Sequence, residues 1–173
     1  MNAREYFYEV QQFRQWWIWL IVTMATSGIL FFNAMAFYHQ IGKGVPFGDT
    51  PMSDQGLIIF GIFSLAFMVG LIMMFYHAKL EIRVERYGIS YKYFPFIRSW
   101  RFVSRDEITH WKVKSYLPSG YGIRLGFRFT TYNVSGTTGL ELVLANRRNI
   151  RLGTRKPEEL RRALQKMTNS EER

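Results

Sequence analysis

Two long apolar runs constrain this chain more than any other feature of its sequence. The first extends from Trp16 to Tyr38 and the second from Gly56 to Tyr76, and neither contains a charged residue. About 20 apolar residues are enough for a helix to cross a hydrocarbon core of roughly 30 Å, whereas a soluble helix of that length normally carries a polar stripe. The sequence therefore predicts a two-helix transmembrane hairpin, with spans at 16–38 and 56–77 joined by an extracytoplasmic loop at 39–55.

The charges that flank the two runs predict their orientation. Arg4 and Arg14 precede the first run, and Lys79 and Arg83 follow the second, whereas the loop at 39–55 contains one lysine beside two aspartates. Lysine and arginine are enriched on the cytoplasmic side of membrane proteins. We therefore expect a multi-pass membrane protein with both termini in the cytoplasm.

The first run has a second interpretation, as a cleaved secretory signal, because Ala34 and Ala36 form a small-x-small site. Its apolar stretch is, however, far longer than the roughly 7 to 15 residues of such a signal. A transporter or channel is not expected, because ion and proton pathways usually need charged side chains within the membrane and both runs lack them.

Small residues in the two runs indicate where the helices could approach each other closely. They are Thr23, Ser27 and Gly28 in the first run and Ala66 and Gly70 in the second. Small side chains allow close backbone packing in membranes. The contact could lie within one hairpin, which is the simpler interpretation, or between two copies of the chain.

The N-terminal segment, residues 1–15, has apolar residues at helical spacing. Tyr6, Val10, Phe13 and Trp17 recur at intervals of three or four, a pattern typical of one helix face. The spacing predicts a short helix lying in the headgroup plane. The alternative is a frayed tail.

After His77 the pattern changes to the alternation typical of strands, over residues 78–168. Seven short strands are predicted, at 80–85, 89–93, 97–103, 108–114, 123–132, 140–145 and 150–152. Pro157 then favours the first turn of a helix, and Leu160, Ala163, Leu164 and Met167 give that helix one apolar face. The expected fold is an α+β membrane protein, in which a small β-barrel or sandwich with a C-terminal capping helix follows the hairpin, and residues 169–173 form a tail.

Several short motifs in this region resemble a known family. They are Gly120-Tyr121-Gly122-Ile123-Arg124, Ser135-Gly136 before the strand at 139–144, Ile150-Arg151-Leu152-Gly153-Thr154, and Pro157-Glu158-Glu159-Leu160. Together they resemble the bacterial pleckstrin-homology-like (PH-like) domains that are attached to transmembrane hairpins. The resemblance covers about residues 78–168. It implies the PH-like fold and a location in the plasma (inner) membrane of a bacterium, but it implies no particular activity.

The sequence contains no recognisable catalytic or metal-binding constellation. Cysteine is absent, and His39, His77 and His110 are too scattered to share a metal ion. Asp106 and Glu107 are adjacent and fit a capped turn after Ser104 better than an acid/base pair. A dinucleotide fingerprint would need glycine where Leu125 stands, so Gly120, Gly122 and Gly126 are interpreted as turn formers. We expect no cofactor, no metal and no enzymatic activity.

Positive charge is the one feature that indicates a binding role. The net charge is +10, which favours contact with anionic surfaces. The candidate residues for binding an anion or a partner are Arg98, Arg101, Arg147, Arg148, Arg151, Arg155, Lys156, Arg161 and Arg162. The alternative is that these residues form a solvated face that reflects only the positive-inside bias.

Basic and aromatic residues also interleave near Lys92 and Arg98, as they do on nucleic-acid-binding surfaces. Strand aromatics in a small barrel usually face the core, however, and a membrane-anchored chain is a poor candidate for binding nucleic acid. We therefore expect membrane lipids as partners, together with a membrane or cytoplasmic protein or a second copy of the chain.

The sequence thus predicts a membrane-anchored, non-enzymatic interaction module. It would present a basic PH-like domain at the cytoplasmic face to a protein partner or to anionic lipid headgroups. The alternative from another class is a component of an enzyme or transport complex whose site the sequence does not reveal.

Overall fold

The computed structural model describes residues 5–116 and 121–169. Predictions for Arg4, for Gly120 and for residues 170–173 of the tail fall outside these residues. The chain divides into two compact units. The first, which we call the hairpin unit, spans Arg14–Tyr76, and the second, the β unit, combines the N-terminal segment through Phe13 with the chain from His77 onward.

The hairpin unit consists of two apolar helices, α1 (Trp16–Phe37) and α2 (Asp54–His77). A short π-helical stretch, Tyr38–Gly42, extends the first helix beyond its predicted end. Their most apolar windows have mean hydropathies of 1.8 and 2.7, and only 11% of each window is buried. Both helices are therefore long and apolar enough to cross a membrane, and they lack the burial of a soluble core helix.

The close approach within the hairpin unit lies away from the small residues that the sequence indicated. A Cβ on Gly28 or on Gly70 would meet nothing within 4 Å, whereas a Cβ on Gly61 would lie 2.7 Å from the Phe37 ring. Glycine at position 61 therefore makes room for the aromatic side chain at the end of α1. A contact through Gly28 or Gly70 within the hairpin, as the sequence suggested, is not found.

The N-terminal segment forms a strand, so the prediction of an interfacial helix is wrong. Strand β1 (Glu5–Gln12) pairs antiparallel with β2 (Lys79–Glu85), and Gln12 lies opposite Lys79. Phe7, Glu9 and Gln11 are buried on one face, which is the alternation of a strand. Pairing with β2 satisfies the backbone hydrogen-bonding groups of this segment. The helical spacing of its apolar residues does not reveal that this partner strand is present.

Strand β1 gives the β unit two recognisable ends. Both links to the hairpin unit leave the first sheet where Gln12 pairs with Lys79, and we call this the anchor end. The opposite end, which we call the far end, contains the turn after Glu85 and the close of the fourth strand at Ser104.

The β unit contains two open sheets and not a closed barrel. The first sheet has the order β1-β2-β3-β4 and the second β5-β8-β9-β7-β6. The remaining strands are β3 (Gly88–Phe94), β4 (Ile97–Ser104), β5 (Ile108–Ser115), β6 (Gly122–Leu125), β7 (Phe129–Asn133), β8 (Thr138–Leu144) and β9 (Asn149–Thr154). All pairs are antiparallel except β7 with β9.

The described residues after His77 thus form eight strands where the sequence predicted seven. The single strand expected at 123–132 is two strands, β6 and β7, separated by a turn in which the Gly126 amide donates to the Phe129 carbonyl at 3.0 Å. The alternating pattern continues through Gly126 and Phe127, and it therefore conceals the reversal.

Helix α3 (Pro157–Asn169) closes the β unit as the sequence predicted. Its buried residues are Leu160, Ala163, Leu164 and Met167, the four that were expected to form its apolar face. The helix packs against β1 and β2. Part of its packing surface is therefore supplied by the N-terminal segment.

Candidate interaction surfaces

The nine predicted basic residues do not form one patch. Arg98 and Arg101 lie on β4, Arg147 and Arg148 in the turn between β8 and β9, and Arg151 on β9. Arg155 and Lys156 follow β9, and Arg161 and Arg162 lie on α3. The set is therefore spread along both sheets and the helix.

Four of these nine cations are paired with neighbouring carboxylates. Arg151 contacts Glu141 at 2.5 Å and 3.0 Å through two nitrogens, and Arg147 pairs with Glu107. On α3 and just before it, two further pairs join Arg161 with Glu158 and Lys156 with Glu159. Exposed ion pairs add little to stability, but they reduce the charge that is open to a ligand.

Arg155 has a structural role at the anchor end. Its backbone amide donates to Glu9 Oε1 at 2.8 Å, and its Nε donates to Ser135 Oγ. Thr154 Oγ1 donates to the other Glu9 oxygen at 2.6 Å. These contacts join the end of β9 to β1, so we do not count Arg155 as a ligand-binding residue.

Buried polar residues complete this connection, which we call the β1 clasp and define as Glu9, Gln11, Ser135, Gly153, Thr154 and Arg155. Gln11 Nε2 donates to the Gly153 carbonyl at 2.6 Å, and Gln11 is completely buried. Two of the motifs behind the PH-like resemblance include Ser135, Gly153 and Thr154. In this chain, those positions hold the N-terminal strand.

The far end carries an apolar tip ringed by cations. The tip, residues 125–128, consists of the last residue of β6 and the turn that leads into β7. Phe127 is fully exposed there, and Leu125 is 76% exposed. Arg148 donates to the Gly126 carbonyl, and Arg128 is exposed within the turn. Arg147, which precedes Arg148 in the sequence, donates to the Phe102 carbonyl near the end of β4 and pairs with Glu107.

The anchor end carries a second exposed apolar residue. Phe96, in the turn between β3 and β4, is 61% exposed, and its ring lies 6.0 Å from that of Tyr93. Phe94 at the end of β3 lies opposite Lys79. Arg98, two residues beyond Phe96, is exposed, and its side chain has no ion pair or hydrogen bond among the described residues.

The outer face of the first sheet contains a buried carboxylate held by cations. Glu81 Oε1 lies 2.9 Å from Lys79 Nζ and 3.2 Å from Lys92 Nζ, and Tyr8 donates to Oε2 at 3.0 Å. Burial opposes ionisation of Glu81, but the hydrogen bonds from Lys79, Tyr8 and Lys92 outweigh it and lower the pKa of this carboxyl. Lys92 and Arg83 also lie over the Trp100 ring, at 5.1 Å and 4.8 Å.

Two shallow grooves accompany these surfaces. One, of about 370 Å³, lies between β1 and α3, where Glu5 and Glu159 balance Arg162 and Lys166. The other, of about 500 Å³, lies at β5 and the end of α3 and includes His110. Among residues 5–116 and 121–169, no three histidine or carboxylate side chains are grouped closely enough to hold a metal ion.

The turn at 104–107 differs in detail from its prediction. Residues Arg105–Glu107 form a 3₁₀ turn, but the Ser104 side chain does not cap it. Glu107 is engaged instead by Arg147. Glu107 is therefore part of the contact between the β4–β5 connection and the β8–β9 turn.

Sequence reasoning missed the most exposed apolar residues of the β unit. Leu125 and Phe127 fall within the single strand predicted at 123–132, and Phe96 immediately precedes the strand predicted at 97–103. The available signals were Gly126 and Pro95, because glycine and proline mark turns.

Comparison of the chain with protein-family models, with curated proteins and with solved structures finds no match.

Proposed function

We propose that this protein is a membrane-anchored, non-enzymatic interaction module whose PH-like β unit binds an acidic partner protein through the tip at residues 125–128. The hairpin unit would anchor it in the plasma membrane with both termini in the cytoplasm. Support for the anchor comes from two uncharged helices of sufficient length, and support for the orientation from the flanking cations.

The observation that carries this proposal is the exposure of Leu125 and Phe127 at the far end. Large apolar side chains that protrude from a turn gain nothing from the fold of their own chain, and such residues commonly anchor interfaces when a pocket receives them. Arg128 and Arg148 border them. The tip therefore combines an apolar anchor with a cationic rim.

A partner protein is a better candidate ligand for this tip than the lipid of the membrane in which the hairpin unit would be anchored. The tip lies beside the start of β9, since Phe129 pairs with Asn149, whereas the end of β9 lies at the β1 clasp. Both links to the hairpin unit leave from that clasped end. The tip thus belongs to the end of the β unit opposite the two covalent links to the hairpin unit.

Charge complementarity identifies the chemistry of the partner. A surface that faces Arg128 and Arg148 should carry carboxylates around an apolar pocket. A second copy of this chain would bring the same cations against themselves if tip met tip, and like charges in contact oppose association. We therefore favour a different, acidic protein over self-association.

The experiment is photo-crosslinking in native membranes with benzoylphenylalanine at position 127. We expect an adduct with an acidic protein, cross-linked at a peptide rich in Asp and Glu. Val10, which is 43% exposed on β1, provides the control position for the photo-crosslinker.

Arg128→Glu should reduce the adduct by about tenfold, because it reverses a charge at the rim. Lys114→Glu makes the same charge change on exposed β5, away from the tip, and should leave the yield unchanged. Absence of a protein adduct, equal yields from positions 127 and 10, or adducts only with lipid or a second copy would refute the proposal.

A further inference from the structure

The strand register places a second apolar and cationic feature at the anchor end. Gln12 lies opposite Lys79, and Lys79 lies opposite Phe94. Adjacent strands are about 4.8 Å apart. The turn that contains Phe96 therefore begins about two strand spacings from the point where both links to the hairpin unit leave the sheet.

We infer that Phe96 and Arg98 form a lipid-contact site that inserts into the headgroup region of an anionic bilayer. This inference goes beyond the protein contact proposed for the tip, and it rests on the proposed membrane anchoring. The ligand is a bilayer surface that contains anionic phospholipid. Phe96 supplies the inserted apolar side chain, and Arg98 supplies the cation for lipid phosphate.

The chemistry of the two residues suits an interfacial position. Aromatic side chains are enriched at the boundary between headgroups and acyl chains. A cation near an anionic leaflet contributes attraction that adds to apolar burial. Arg98 is open to such a contact, since its side chain has no polar partner among the described residues.

The connections to the hairpin unit favour this end over the tip. Ala78 alone separates α2 from β2, and three residues separate β1 from α1. When the helices span a bilayer, these short links keep the anchor end at its surface. Phe96 then meets lipid at a high effective concentration, because the covalent links already hold it near the bilayer.

The contact would have a structural consequence for the β unit. The two covalent links leave the first sheet from neighbouring strands, β1 and β2, at the same end. Insertion of Phe96, in the turn between β3 and β4, would add a third point of attachment away from those links.

The test uses the full chain, which contains no cysteine, reconstituted in lipid nanodiscs. Single cysteines at positions 96, 127 and 24 are labelled with an environment-sensitive fluorophore. Quenching by nitroxide lipids then reports contact with the bilayer. Phe96, Phe127 and Met24 are all exposed in the structure, so substitution leaves the core intact.

We expect strong quenching at position 24, intermediate quenching at 96 by lipids labelled near the headgroup, and little at 127. Quenching at 96 should exceed that at 127 by at least about twofold in discs that contain phosphatidylglycerol. Arg98→Glu should reduce it, as should replacing the anionic lipid with phosphatidylcholine. Arg86→Glu, at an exposed position in the far-end turn after Glu85, serves as the matched charge control.

The outcomes separate the two levels of the argument. Quenching at 24 with none at 96 refutes the lipid-contact site but leaves membrane anchoring intact. No quenching at 24 refutes the anchoring itself, and the lipid-contact site with it. Equal quenching at 96 and 127, or quenching at 96 that ignores Arg98→Glu and lipid charge, also overturns the inference.

Discussion

Gln11, in the strand that precedes the first apolar helix, donates a buried hydrogen bond of 2.6 Å to the carbonyl oxygen of Gly153, 142 positions further along the chain. Both apolar helices lie between these two residues in the sequence. The bond belongs to the β1 clasp, which closes the N-terminal segment onto the second sheet. The β unit is thus built from two segments that are separated by the hairpin unit.

Gln11→Ala should destabilise the β unit by about 1–3 kcal/mol, because it leaves the buried Gly153 carbonyl without its partner. The measurement is the free energy of unfolding of the detergent-solubilised protein in urea, followed by tryptophan fluorescence. Val10→Ala, at an exposed position on the same strand, should change it by less than about 0.5 kcal/mol. Equal effects of the two changes would show that the clasp does not stabilise the unit.

The pairing of β1 with β2 predicts membrane topology. If both helices cross the bilayer, cysteines at Val10 and Tyr87 should react with an impermeant reagent from the same side, because their strands belong to one sheet. A cysteine at Val45, between the helices, should react from the opposite side. Labelling intact and inverted membrane vesicles distinguishes the sides. Reaction of all three from one side would contradict two spans.

Glu81 should make the β unit sensitive to acid. Its pKa is lowered from 4.5, so its contribution to stability is present above about pH 4.5 and is lost as the pH falls through the lower folded-state pKa. Glu81→Gln should cost about 1–3 kcal/mol at neutral pH, because Lys79 and Lys92 lose their anion. It should also flatten the decline below about pH 4.5.

The control for this prediction is Glu85→Gln on the same strand. Glu85 contacts Arg83 at a longer distance of 3.7 Å, and we expect a smaller effect on the unfolding free energy. The comparison uses urea midpoints between neutral pH and about pH 3. Parallel pH profiles for wild type and Glu81→Gln would exclude Glu81 as the source of acid sensitivity.

Two buried tyrosines should limit stability at high pH. Burial is the main cause that raises the pKa of Tyr91 and of Tyr93 from 10.0 to about 12. Because both folded-state values are raised, the stabilising contribution is full below about pH 10 and is lost as the pH rises toward about 12. Tyr93→Phe should reduce this alkaline loss, which tyrosinate absorbance and unfolding midpoints together would measure. An unchanged alkaline profile in Tyr93→Phe would contradict the assignment.

Much of the fold follows from local patterns. The absence of charge in 16–38 and 56–76 indicates apolar helices from local composition alone. It is typical of a membrane span, because a charged side chain is costly to bury in lipid. The alternation after His77 and the apolar face of α3 likewise depend on residues close in sequence. The strands at 97–103 and 108–114 and the helix after Pro157 accordingly agree with β4, β5 and α3.

The candidate surfaces are less predictable from local patterns. The sequence identifies every arginine but not its neighbour, and the pairing of Arg147 with Glu107 or of Arg151 with Glu141 depends on strands that meet only in the folded sheet. The same reason explains why Phe127 was assigned to a strand. Its exposure is a property of the turn between β6 and β7.

The sequence by itself determined the apolar helices, most strands and the basic character of the chain, since each depends on composition or on spacing over a few residues. Only the tertiary structure decided that the N-terminal segment is a strand of the β unit, that the nine candidate cations are spread over both sheets and α3, and that Phe96 and Phe127 lie at opposite ends. These relationships join residues far apart in sequence, where the balance of pairing, burial and charge depends on which segments meet and not on local pattern.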